Sequence, residues 1–250
     1  MYERQAVVTA ARQLVKVFGS VVILAIGLVL LWQTQTWERQ SLSHEHVPKR
    51  LSTELPQFDE QKFMRHVKTR LPMYREVFKE AGGKYGLSWI LLAAQAYQES
   101  HWNRNAKSPT GVRGLMMLTR DTASDMGIEN RLDPRNSITG GARYLARLYE
   151  QVPENVHSED RMLFALAAYN VGMGHVKDAQ ILAKRLNKDH RKWDSIKTVL
   201  PLLAKKKYYK TLPNRYARGW EPVQYVKRIR AYRKILEYMD QQHTRQVAEL

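Results

Sequence analysis

Cysteine is absent from all 250 residues, which removes disulfides, thiolate zinc sites, cysteine nucleophiles and a lipid-modified amino-terminal cysteine at once. Acidic residues are scarce beside basic ones, 24 against 41, for a formal charge of +17. Such an excess points to a polyanionic partner, whether nucleic acid, anionic lipid or an acidic cell-wall polymer. Strand signals are nearly missing, because almost no segment alternates strictly between apolar and polar residues. HExxH, GxSxG and the phosphate-binding GxxxxGK(S/T) pattern are also missing, and His44-Glu45-His46 has no further ligands nearby. No metal, nucleotide or other cofactor is therefore expected. Repeats, heptads and low-complexity tracts do not occur either, so 250 residues with 44% hydrophobic content read as one well-buried domain with appendages.

What is present begins with an apolar run. Residues 17–32 are apolar except for Ser20, and no charge appears between Lys16 and Glu38. The uncharged window 17–37 matches the roughly 20 residues needed to cross a bilayer. Arg4, Arg12 and Lys16 precede it, so the positive-inside rule keeps residues 1–16 in the cytoplasm and sends everything after Trp37 across the membrane. A cleaved signal peptide is the rival reading. The run is long for one, however, and no small-x-small site follows at Leu31-Trp32-Gln33-Thr34, so an uncleaved single-pass anchor is expected, with Trp32 and Trp37 at the interface. Residues 38–58, polar and carrying Pro48 and Pro56, read as a tether.

From residue 59 to 241 nearly every segment has helical spacing. Helices are expected over about 60–70, then from Pro72 to a stop at Gly82-Gly83, and over 89–100 behind a Ser88 cap. A short one follows over 120–126. Asp133-Pro134 pairs a cap with a first-turn proline and opens a helix to about Gln151. Ser158, Glu159 and Asp160 open the next, and Gly172 and Gly174 break the chain after it. Further helices fit 175–186, 194–204 and 221–241, the last with Val223, Val226, Ile229, Ile235 and Leu236 on one side. The tail 242–250 reads as frayed. The fold class is all-α and compact.

One carboxyl group stands out. Glu99 shares a helical face with Leu92, Gln95 and Ala96, so it points where its helix packs inward, and burial disfavours its charged form. It also falls in the last turn, where the helix macrodipole is negative. Both effects push its pKa up, as a general acid near neutral pH requires. The plain alternative is a surface glutamate, or one paired with Arg104.

Around it lies an ordered series: Gln98-Glu99-Ser100, then Ser108-Pro109-Thr110-Gly111-Val112-Arg113-Gly114-Leu115-Met116-Met117, then Ala168-Tyr169-Asn170-Val171-Gly172, then Gln224-Tyr225-Val226. The series resembles the goose-lysozyme-type domain of soluble lytic transglycosylases over roughly residues 70–240. The wording ESHWN with TGVRGLMMLT is most like the F-type membrane-bound members, whose upstream solute-binding-like domain this chain is expected to lack. The resemblance implies a compact lysozyme-like helical domain behind the amino-terminal transmembrane helix. It makes Glu99 the catalytic acid/base, Ser100 part of its helix-end setting and Ser108 a hydroxyl facing the reacting sugar. Met116, Tyr169, Asn170 and Tyr225 would line the groove, a core tyrosine being the lesser reading of Tyr169. Met117 stands where most of the wider family has a glutamine lining the sugar site, while the F-type relatives carry methionine there.

The implied reaction cleaves the bond between N-acetylmuramic acid and N-acetylglucosamine in peptidoglycan. Glu99 protonates the glycosidic oxygen, then takes a proton from the muramic 6-hydroxyl as it closes a 1,6-anhydro ring. Ordinary glycosidases use two carboxylates. The nearest in sequence, Asp121 and Asp125, read as solvent-facing, while Asp178 or Glu221 remain able to approach through folding. A goose-type muramidase that admits water, and a non-catalytic wall-binding or assembly protein on the same fold, stay open as alternatives. The implied partners are peptidoglycan strands, the bacterial inner membrane through the one helix, with the domain in the periplasm, and an envelope assembly partner. The 12 basic residues from Lys205 onward resemble a nucleic-acid footprint out of context. Beyond the membrane they suit anionic envelope polymers or lipid head groups instead, and nucleic acid is not expected.

Overall fold

A computed structural model of the chain describes residues 55–248. The expected anchor at 17–37, the His44-Glu45-His46 cluster and all but the end of the tether lie outside them. Among the described residues no helix is long and apolar enough to cross a membrane.

The regular elements of the described residues are all helices, with two isolated bridges in the 107–118 loop as the only β pairing among them. Ten α-helices run α1 (Gln57–Thr69), α2 (Arg75–Tyr85), α3 (Trp89–Ser100), α4 (Arg120–Asp125), α5 (Pro134–Gln151), α6 (Arg161–Val171), α7 (Met173–Arg185), α8 (Trp193–Val199), α9 (Lys206–Tyr209) and α10 (Trp220–Ala248). Short 3₁₀ turns at Leu71–Met73 and Leu200–Ala204 join α1 to α2 and α8 to α9. Around α3 the architecture closes: it packs on α2 and α10, α10 also covers α6, and α5 bridges α2 and α6.

The sequence of α3 explains its central place. Ile90 to Tyr97 are all buried, Gln95 included, and a helix apolar on every side has no face to give to water. Ser88 caps it, its hydroxyl accepting from Leu91 N at 3.4 Å. Its other end is held by an unusual stop. His101 and Trp102 both adopt left-handed backbone, φ 52° and 55°, a conformation that costs a non-glycine residue roughly 1 kcal/mol or more. Trp102 offsets that cost. It is 1% exposed, packs among Phe63 and Tyr97, and donates its indole N–H to the Ala93 carbonyl at 2.9 Å.

Glycines account for two departures from the expected helix bounds. Gly82 and Gly83 do not end α2, which runs to Tyr85 and closes on Gly86 in left-handed backbone. Gly82 is there for close approach, since a Cβ would lie 2.6 Å from the Leu87 carbonyl oxygen. Gly174 likewise sits inside α7, where a Cβ would meet Asn214 Oδ1 at 2.5 Å. Only Gly172, at φ 89°, makes the expected break. Ser158 does not open α6. The helix begins at Arg161, and the Asp160 carboxylate turns away to accept from Trp193 N at 2.7 Å. Past Gln242, where fraying is expected, α10 continues to Ala248.

Candidate active site

Glu99 occupies the last turn of α3, half-buried and without an ion pair to Arg104 or any other described base. Burial raises its pKa from 4.5 to about 7 against the opposing effect of one hydrogen bond. That bond comes from Tyr225, whose hydroxyl donates to Glu99 Oε1 at 2.5 Å across a separation of 126 residues. The same hydroxyl accepts from Gln95 Nε2 at 3.2 Å. Gln95 lies one turn before Glu99 on the same face, so a short chain from Gln95 through Tyr225 holds the carboxyl from α10. Tyr225 is itself buried, which pushes its phenol well above its ordinary range, with the charges of Glu99 and Tyr169 adding to the effect.

The 107–118 loop is tied to this helix end. Ser100 is buried, and its hydroxyl reaches the Leu115 carbonyl at 2.9 Å and the Ala96 carbonyl at 3.1 Å. The sequence places Ser100 at the helix end, and its atoms join that end to the loop. Gly114 is obligatory: its φ is 84°, and a Cβ there would fall 1.9 Å from the Arg131 carbonyl oxygen. Ser137 supports the loop two residues on, by accepting from Met116 N at 3.1 Å.

The remaining candidates divide. Tyr169 is half-buried, donates its hydroxyl to the Met116 carbonyl at 2.9 Å, and feels the charge of Glu99. Its ring lies 5.1 Å from that of Tyr144, a residue the motifs did not single out. Met116 does not offer its side chain to a groove. It is 0% exposed, pressed against Gly141, where a Cβ would sit 2.6 Å from it, and its backbone is what anchors Tyr169. Met117 is half-buried with left-handed backbone, φ 46°. Ser108 is half-buried, its hydroxyl joined to that of Thr110 at 2.9 Å and accepting from Val112 N at 3.2 Å. Asn170 is exposed at the end of α6.

Other carboxylates are engaged elsewhere. Asp178 is fully buried and accepts from both the backbone N and Nδ2 of Asn214, each at 3.0 Å. Glu221 pairs with Arg218 at 3.0 Å, and Asp121 and Asp125 face solvent. No carboxylate is among the influences on Glu99, which are burial and Tyr225 alone. Among the described residues no three His, Asp or Glu side chains gather as a metal site.

A helical domain built around one buried helix, with a carboxyl raised by burial in that helix's last turn, is of the lysozyme-like class. Residues 76–192 match the Transglycosylase SLT domain family. It is similar to membrane-bound lytic murein transglycosylase F of Maricaulis maris, 56% identical over 182 residues, which are 73% of this chain and 40% of that protein. Membrane-bound lytic murein transglycosylase F 1 of Alkalilimnicola ehrlichii is 54% identical over 185 residues, 74% of this chain and 37% of the relative. The chain thus spans about two fifths of the length of these relatives. Among solved structures, an inactive mutant of lytic transglycosylase Slt from Pseudomonas aeruginosa shares the fold, with TM-score 0.51 and 23% identity over 68% of this chain and 25% of that one. The 70 kDa soluble lytic transglycosylase of Escherichia coli matches at TM-score 0.50 and 26% identity, over 66% of this chain and 24% of the other.

Proposed function

We propose that this protein is a peptidoglycan lytic transglycosylase with Glu99 as its one acid and base. The observation that carries the reading is a lone carboxyl held near pKa 7 by burial, hydrogen-bonded by Tyr225 and remote in its electrostatics from every other acid. A group with that pKa is protonated often enough at neutral pH to give a proton and ionised easily enough to take one back. Protonated Glu99 transfers its proton to the glycosidic oxygen between N-acetylmuramic acid and N-acetylglucosamine, and the C1–O bond breaks toward an oxocarbenium-like centre. The resulting carboxylate, steadied by the Tyr225 hydroxyl, accepts the proton of the muramic 6-hydroxyl as its oxygen bonds to C1. The products are a 1,6-anhydro end and a free 4-hydroxyl, with Glu99 protonated again and no water consumed.

The same reading gives Ser108, Met117, Tyr169 and Asn170 to the sugar-binding groove, and makes Ser100 and Tyr225 positioning residues. Residues 17–37 would anchor the protein once in the inner membrane, with residues 59–241 acting in the periplasm, where local cleavage would open the wall for an envelope assembly. Relatives of similar sequence are named membrane-bound, which supports the placement. The test is mass spectrometry of fragments released from sacculi by the detergent-solubilised chain and by its Glu99→Gln variant. Anhydro ends from the native chain alone are expected. Reducing ends would replace the lyase with a muramidase, and sacculus binding without release would leave a wall-binding module.

A further inference from the structure

Against the 107–118 loop three arginines gather without a matching acid. A backbone bridge sets Arg113 opposite Leu118, and the Leu118 carbonyl accepts from Arg131 Nη1 at 2.7 Å. Arg131 also reaches the Gly111 carbonyl at 3.3 Å, so its guanidinium is pinned while its remaining N–H donors stay free of these bonds. Arg131 and Arg120 line one cleft of about 510 Å³, with Ser124, Ile128 and Glu129 among its other walls. After burial, the charges of Arg120 and Arg113 are what act on Arg131, and no carboxylate acts against them. The arginine ion pairs of the domain are made elsewhere, by Arg75, Arg135, Arg191, Arg218 and Arg233. Glu129, the acid in the lining, pairs with none of the three.

Like charges held close together repel one another, and an anion seated among them relieves that repulsion. Guanidinium groups present planar forks that match a carboxylate with two parallel hydrogen bonds. The cleft is far larger than a simple ion requires and falls in the range of sites for organic ligands. Arg131, in its wall, is bonded to the Gly111 and Leu118 carbonyls of the loop that carries Ser108 and Met117.

We propose that the cleft lined by Arg120 and Arg131, with Arg113 beside Arg131, binds carboxylates borne by the glycan strand, either the lactyl group of muramic acid or the stem peptide attached to it. The inference rests on the glycan-cleaving reading above and adds to it a second point of recognition, read from charge rather than from sugar hydroxyls. An acidic strand would then be held at two points, by its sugar at Glu99 and by its substituent at the arginines.

Calorimetric binding to the full-length, detergent-solubilised Glu99→Gln chain tests this, with three ligands of equal length. One is a neutral N-acetylglucosamine oligomer, one a glycan stripped of peptides so that only lactyl carboxylates remain, and one a peptide-bearing glycan. An acidic strand is expected to bind at least tenfold more tightly than the neutral oligomer. Adding Arg113→Gln and Arg120→Gln should bring that ratio close to one, while Arg113→Lys with Arg120→Lys keeps most of it. Arg131 is left in place because it ties the loop. A preference for both acidic strands identifies the lactyl group as the ligand, and a preference for the peptide-bearing strand alone identifies the stem peptide. The proposal is overturned by equal binding of all three ligands, by a preference that survives the glutamine pair, or by a loss that falls equally on the neutral oligomer. Binding of none of the three would instead defeat the glycan reading itself.

Discussion

Glu99→Gln has a consequence for stability that is separate from any effect on catalysis. The folded carboxyl titrates near 7 rather than 4.5 because burial penalises its charged form. A rise of that size corresponds to up to about 3 kcal/mol at roughly 1.4 kcal/mol per pH unit. Its sign follows from linkage: between those two values the folded state holds more protons than the unfolded one, so stability falls as pH rises through the window. Below pH 4.5 the carboxyl is neutral in both states and costs nothing. Above pH 7 it is charged in both, and the folded protein bears the full penalty. Glutamine is neutral at every pH and still offers Tyr225 an oxygen to donate to. The variant should therefore match the native chain at pH 4.5 and exceed it by up to about 3 kcal/mol at pH 8, a Tm gain of roughly 6–12 °C for a domain of this size. Thermal unfolding followed by far-ultraviolet circular dichroism at the two pH values measures it. A Tm difference that is the same at both would refute the argument, because a buried and pKa-shifted carboxyl cannot give a pH-independent offset.

Tyr225→Phe removes the one donor to the carboxylate and strands the Gln95 amide. A hydrogen bond to a charged group is worth about 1.5–3 kcal/mol, so the high-pH limb of the activity profile should move upward by roughly one to two units while the maximal rate falls. A limb that stays in place would mean that the hydroxyl does not act on Glu99. Gly114→Ala should displace the 107–118 loop, because its Cβ would fall 1.9 Å from the Arg131 carbonyl oxygen. We expect sacculus cleavage to drop at least tenfold and amide hydrogens of residues 107–118 to exchange faster, as read by mass spectrometry, while those of α3 stay protected. Wild-type exchange in the loop would show that it tolerates the substitution.

Much of this domain is legible along the chain. The bounds of α3, its Ser88 cap, the Asp133-Pro134 opening of α5 and the place of Glu99 near a helix end follow from periodicity and capping chemistry, which act over a few residues. Tyr144 was missed although it is held in the same helix as Gly140 and Gly141, because a tyrosine at helical spacing carries no mark of which ring it will meet. Met116 was misplaced for a related reason. An apolar residue inside a functional motif can serve by its side chain or by its backbone, and only the neighbouring Gly141 decides which. Glycines at 82 and 174 mislead in the same way, since the residue that ends a helix is also the one that lets another segment come close.

What the sequence by itself determined, then, is the all-helical class, the lone acid and the set of residues expected around it, because local propensity, composition and spacing suffice for these. Only the tertiary structure decided how the acid is tuned. Tyr225 meets Glu99 across 126 residues, Ser100 fastens a helix end to a loop, and Asp178 is drawn off to Asn214 rather than toward the site. The first depends on how α10 crosses α3, and the others on which loop comes to lie against α3 and α7, matters of long-range packing that no short window of residues encodes.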